Sequence, residues 1–179
     1  MLVSKDKSCL LIVDMQEKLF PKMLNQTKIL KNISILIESA SILKIPVLFS
    51  EQYPKGLGKT IAELKVLKDS IVVEKTTFSC GGSKKFIKVL KSLNRSQIII
   101  TGIEAHVCVL QTAIDLKGMN YHSFVVEDAI SSRVKKSKDI AKKRLGNNGC
   151  DLVSTEMIVF EWINDSSDQN FKKISKLIV

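Results

Sequence analysis

Histidine is almost missing from this chain. Only His106 and His122 occur, so a metal site built on imidazole is poorly supplied, and a histidine-based catalytic arrangement has little to draw on. The four cysteines, Cys9, Cys80, Cys108 and Cys150, form neither a CxxC pair nor a zinc-type cluster. No metal is expected, and a reduced, cytoplasmic setting suits four unclustered thiols. Arginine is confined to Arg95, Arg133 and Arg144, and aromatic residues make up only 6% of the chain. The formal charge of +10 is therefore a lysine charge spread along the sequence. Guanidinium forks and stacking rings, the usual means of holding phosphates and bases, are scarce, which argues against a nucleic-acid partner. The densest cluster, Lys135, Lys136, Lys138, Lys142 and Lys143, lies on a helical stretch with Ile140, Ala141 and Leu145 as its apolar face, and reads as a solvated helix surface. No apolar run reaches the length of a membrane span, and Met1 to Lys7 lacks a signal-peptide pattern.

What the chain does have is a regular alternation of short apolar runs and helical patterns. With 179 residues and 45% hydrophobic content, it suits one domain over 1–179. Strands are expected at 8–14, 47–50, 70–75, 97–101, 121–126 and 151–154. The first, Ser8 to Val13, is apolar without alternation, as in a parallel sheet covered on both faces. Helices are expected after Pro21, with Thr27 as N-cap, and after Gly82, with Phe86, Val89, Leu90 and Leu93 inward. Further helices should end near Gly118 and Gly149, and two more should lie near 158–162 and 171–178. This alternation predicts an α/β class: a three-layer α/β/α sandwich with a largely parallel sheet. Glu51 to Gly58 reads as a loop. Its Gly-x-Gly is too short and too late after the strand to be a dinucleotide fingerprint, and no cofactor is expected.

Three reactive residues fall at strand ends. Asp14 closes the first strand, Lys75 closes the third, and Cys108 follows the β-branched run Ile98-Ile99-Ile100 at the start of a helix. Taken singly, Asp14 suits a cap as well as a site, Lys75 suits solvent, and Cys108 suits packing. Open α/β sheets place ligands at the carboxyl ends of their strands, so the three could converge. Together they supply a nucleophile, a proton acceptor and a cation, the needs of covalent acyl chemistry. A helix N-terminus would also favour the Cys108 thiolate.

The segments LLIVDMQ (10–16), EQYPKGLG (51–58), EKTTFSC (74–80), TGIEAHVCVLQTA (101–113), VVEDAISSR (125–133) and STEMIVFE (154–161) resemble the isochorismatase-like cysteine hydrolases, a family that includes the nicotinamidases. EQYPKGLG is most similar to the branch called isochorismatase domain-containing proteins. The resemblance implies the isochorismatase-like hydrolase fold, with Cys108 as nucleophile, Asp14 as general base and Lys75 completing the triad. It also implies a cis peptide at Ile103–Glu104, and an oxyanion hole formed by the backbone N–H groups of Glu104 and Cys108. A homo-oligomer and a small-molecule substrate, an amide or related carbonyl compound, follow from the same likeness.

The departures are also informative. Where nicotinamidases carry an Asp/His metal cluster, this chain has Ser50-Glu51-Gln52-Tyr53. Where they carry an aromatic pocket residue, it has Leu19, which argues against nicotinamide. Leu19, Gln52 and Phe78 are the candidate walls of the substrate pocket. The alternative from another class is a non-catalytic basic protein that binds RNA or a protein partner on a hydrolase scaffold.

Overall fold

The computed structural model describes residues 1–64 and 70–178. Six parallel strands form one sheet: β1 (Ser8–Val13), β2 (Val47–Gln52), β3 (Ile71–Lys75), β4 (Gln97–Ile103), β5 (His122–Ser131) and β6 (Asp151–Val153). Their order is β3-β2-β1-β4-β5-β6. The chain thus starts near the middle of the sheet, works outward to β3, and returns on the other side of β1 to build β4, β5 and β6. Such a reversal leaves a crevice at the carboxyl ends of β1 and β4.

The helices are α1 (Gln26–Ile42), the single turn α2 (Pro54–Leu57), α3 (Lys84–Ser92), α4 (Leu110–Gly118), α5 (Lys135–Asn147), α6 (Thr155–Ile163) and α7 (Phe171–Ile178). Strand alternation assigns side chains to two cores. Leu10, Ile12, Phe49, Ile99 and Phe124 pack with Ile33 and Leu36 of α1, Trp162 of α6 and Ile174 of α7. Cys9, Leu11, Val13, Leu48, Ile98 and Ile100 pack on the other face with Phe86 and Leu90 of α3, Ala113 and Leu116 of α4, and Leu145 of α5. Both faces are covered, which is why β1 reads as unbroken apolar sequence. The architecture is the expected three-layer sandwich. Among the described residues, no helix is long and apolar enough to cross a membrane.

Several boundaries differ from the sequence reading. Thr27 lies inside α1, whose N-cap is Asn25 in the left-handed conformation with no side-chain cap bond. β2 runs two residues further than expected, to Gln52, and the loop after it contains the helical turn α2. β5 continues past Val126 to Ser131, with a register shift against β4 between Ile100 and Gly102. Ile140 is 57% exposed, so the inward face of α5 is Ala141 and Leu145, one helical turn apart. His122 opens β5 as an exposed residue.

Candidate active site

The end of β1 carries the acid. Asp14 follows Val13 directly and takes a left-handed backbone with φ of 48°, a turn that Asp tolerates better than most residues. Its N–H donates to the Ser50 carbonyl at 3.1 Å, which ties it to the neighbouring strand β2. Its carboxylate is fully buried and gripped on both oxygens. The Ser50 hydroxyl donates to Oδ1 at 2.6 Å, and the Lys75 ammonium donates to Oδ2 at 2.8 Å.

Lys75, at the end of β3, is not solvated as a lysine after a strand usually is. Neither its side chain nor that of Asp14 has accessible surface. The ammonium is satisfied in full, donating also to Gln52 Oε1 at 2.8 Å and reaching the carbonyls of Phe78 at 3.1 Å and Thr77 at 3.2 Å. Burying a charge this completely requires such a shell.

Gln52 and Gln16 hold the ammonium's surroundings. Gln52 Nε2 donates to the Thr76 carbonyl at 2.7 Å, so both ends of this side chain are spent inside the protein. Its backbone is bracketed in turn by Gln16, which accepts from Gln52 N–H at 2.8 Å and donates to the carbonyls of Gln52 and Gly58 at 3.0 and 2.7 Å. Gln52 therefore serves the ammonium and does not present a free amide to a pocket.

The thiol comes from the other side of the switch point. β4 reaches Gly102, where φ is +103° and an added Cβ would collide with the Val13 carbonyl oxygen. Only glycine lets β4 pass this close to the end of β1. The Ile103–Glu104 peptide that follows is cis. A π-helical turn, Ala105–Val109, leads into α4 and carries Cys108. The Glu104 carboxylate accepts from Arg133 N–H and Nε, both at 3.1 Å, while His106 Nδ1 lies 2.9 Å from Ser132 Oγ. Both contacts fasten the π turn to the segment between β5 and α5.

The electrostatics depart from the thiolate expected of a helix N-terminus. Burial pushes the Cys108 thiol well above its ordinary range, the Asp14 charge pushes the same way, and Lys75 opposes them. Cys108 is only 7% exposed and lies on a π turn rather than at an open α-helical end, so desolvation outweighs the dipole. The resting arrangement is a neutral thiol against a carboxylate already neutralised by an ammonium. Chemically, such an arrangement can offer a thiol and a proton acceptor to one substrate carbonyl.

The structure thus brings Asp14, Lys75 and Cys108 together. Leu19 is half-buried against the core on the α1 side, and the Phe78 side chain is 57% exposed. A cleft of about 550 Å³ is lined by Tyr53, Lys55, Glu74, Lys75, Thr77 and Lys84, among others. Neither Asp14 nor Cys108 is in its walls, so it lies beside the reactive group. Among the described residues, no three His, Cys, Asp or Glu side chains group to hold a metal ion. Sequence reasoning missed Ser50 and Gln16 as parts of the site. Their signal was faint: a polar residue ending an apolar strand, and an amide two positions after the acid.

Comparison with known proteins agrees with the fold. The isochorismatase domain matches residues 8–157. Isochorismatase domain-containing protein 2 of Danio rerio is 39% identical over 181 residues, covering 98% of this chain and 89% of its own. A solved structure described as the MAR1 ribonuclease of Caenorhabditis elegans superposes with a TM-score of 0.94 at 35% identity, over 99% of this chain and 92% of that one. The YcaC gene product of Escherichia coli, described as an octameric hydrolase of unknown specificity, gives a TM-score of 0.94 at 22% identity, over 99% and 89% of the two chains. At that identity the likeness speaks for the fold alone.

Proposed function

The chain belongs to the isochorismatase family, and from that premise we propose that it is a cysteine hydrolase cleaving a small amide or related carbonyl compound through a thioester. The observation that carries the reading is the fully buried Lys75–Asp14 ion pair, 2.8 Å long, bearing on the Cys108 thiol. A buried ion pair contributes little net stability, whereas a carboxylate held against a thiol is what proton removal during attack requires.

In this mechanism the Cys108 sulfur attacks the carbonyl carbon as its proton passes to Asp14. The new C–S bond forms and the carbonyl oxygen becomes an oxyanion, which accepts from the backbone N–H groups of Glu104 and Cys108. One such donor is worth about 3–4 kcal/mol in the transition state. Collapse breaks the C–N bond, and the amine leaves with the proton from Asp14. Water then attacks the thioester, giving up a proton to Asp14. The acid departs, and that proton returns to the sulfur. Lys75, 2.8 Å from Oδ2, holds the Asp14 carboxyl group in place throughout. No step calls on a metal or cofactor.

The same reading treats 1–179 as a single catalytic domain that forms a homo-oligomer. All four cysteines are free in the structure, which supports a reducing, cytoplasmic setting. The test is hydrolysis of a panel of small amides by wild type and Cys108→Ala. Turnover by wild type and none by the variant is expected; equal turnover would remove Cys108 from the chemistry.

A second reading draws on the net charge of +10 and on the ribonuclease name of the Caenorhabditis elegans structure. In it, the chain is a basic scaffold that binds RNA. Such binding would weaken steeply as salt rises. Salt-insensitive amide turnover without retention of RNA at 150 mM salt favours the hydrolase.

A further inference from the structure

Resting on the hydrolase reading, we infer that Ser50 is a positioning residue for the base: its hydroxyl fixes the plane of the Asp14 carboxylate so that the remaining lone pairs meet the Cys108 thiol. Ser50 ends the apolar run of β2 and is 1% exposed. It grips Asp14 twice, by its carbonyl, which accepts from Asp14 N–H at 3.1 Å, and by its hydroxyl, which donates to Oδ1 at 2.6 Å. Lys75 holds the other oxygen at 2.8 Å. An ionised carboxylate has about four acceptor positions. With one oxygen held by a hydroxyl and the other by an ammonium, rotation about the Cβ–Cγ bond is blocked from both ends.

Lys75 alone would not achieve this. An ammonium is a compact charge with three rotatable donors, and it follows a carboxylate that turns. The hydroxyl sits on a short side chain of a central strand paired to β1 in register, Val13 opposite Ser50, so its donor cannot follow. The buried Cys80 N–H donates to Thr112 Oγ1 at 2.9 Å, four residues beyond Cys108 on the same run of helix. Burial holds the Cys80 thiol up at about 11, so it stays neutral and does not compete for the base.

The test compares Ser50→Thr with Ser50→Val, which have the same shape and differ only in hydroxyl against methyl, alongside Ser50→Ala. The probe is p-nitrophenyl acetate. Cys108 sulfur attacks its carbonyl, the C–S bond forms, the ester C–O bond breaks, p-nitrophenolate leaves, and the thiol proton passes to Asp14. Stopped-flow absorbance gives the acylation rate, normalised to the folded fraction from the fluorescence of the single tryptophan, Trp162. Loss of a hydrogen bond to a charged group predicts that Val and Ala acylate about 10- to 100-fold more slowly than wild type, with the saturation constant for the ester unchanged. Thr should recover to within about threefold. Because Thr and Val share any strain from the added carbon, a folding defect in Ala leaves the comparison intact. Equal rates for Thr and Val would overturn the inference about Ser50 alone. Failure of wild type to acylate at Cys108 would overturn the hydrolase reading and this inference with it.

Discussion

Removing the Lys75 ammonium should cost this protein far more than the loss of an ordinary ion pair. The side chains of Lys75 and Asp14 are both fully buried and meet at 2.8 Å. Exposed pairs are worth about 0–1 kcal/mol. Breaking a buried pair from one side leaves an uncompensated charge, at about 3–5 kcal/mol. In Lys75→Met the stranded groups are the Asp14 Oδ2, the Gln52 Oε1 and the carbonyls of Thr77 and Phe78, all acceptors with no replacement donor. The upper half of that range is therefore expected at pH 7. Urea titration followed by Trp162 fluorescence measures it, because Trp162 is 1% exposed and its Nε1 donates to Ser8 Oγ at the start of β1. Pairing the change with Asp14→Asn removes the stranded charge. The double variant should accordingly be more stable than the sum of the two single losses predicts, by at least about 1 kcal/mol. Lys75→Met also removes a charge that lowers the Cys108 thiol, so alkylation of Cys108 by iodoacetamide should require a higher pH. A Lys75→Met protein within about 0.5 kcal/mol of wild type, with an unchanged alkylation profile, would refute the reasoning.

Other outcomes follow from the same geometry. Asp14→Asn should lose most activity per folded molecule, since an amide cannot take the thiol proton; wild-type turnover would show that the base lies elsewhere. Gly102→Ala should lose at least about 4 kcal/mol in a urea titration, because the new Cβ meets the Val13 carbonyl at a positive φ; near-wild-type stability would mean the β4–β1 approach is looser than described. Stability should fall above pH 9. Burial raises Cys9 to about 12 and Cys80 to about 11, so the unfolded chain releases these protons first, and the contribution is lost as pH climbs toward those values. Cys9→Val should flatten that alkaline decline in urea midpoint, and an equal decline in the variant would contradict it.

The order of strands and helices was legible because burial on both faces of a parallel sheet writes itself as unbroken apolar sequence. Asp14 and Lys75 were legible as strand-end residues, and their pairing came from the sheet order, which sets β1 and β3 on either side of β2. Less was readable where tertiary partners override local preference. The sequence reading ends β5 at Val126 because Glu127 and Asp128 interrupt the apolar run. In the structure, Asp128 is occupied by other elements: its carbonyl accepts from Asn32 at 2.8 Å and its carboxylate accepts from Thr155 N–H and Oγ1 at 2.9 and 2.8 Å. The Cys108 environment was misjudged for a similar reason. Helix position is visible in sequence, whereas the burial that opposes it is tertiary: Cys108 shares a core with Val13 of β1, Leu48 of β2 and Val73 of β3. Ser50 and Gln16 were only faintly legible as site parts, because their role lies mainly in which atom they face: Ser50 Oγ meets Asp14 Oδ1 and Gln16 brackets the Gln52 backbone.

Intact-mass spectrometry after rapid acid quench would register the proposed thioester on Cys108 itself. With a turned-over small amide, the expected result is a mass increase corresponding to the acyl group, mapped to the peptide containing Cys108, present in wild type and missing from Cys108→Ala. Turnover of that amide at the wild-type rate by Cys108→Ala, or an acyl group mapped to any other residue, would contradict it.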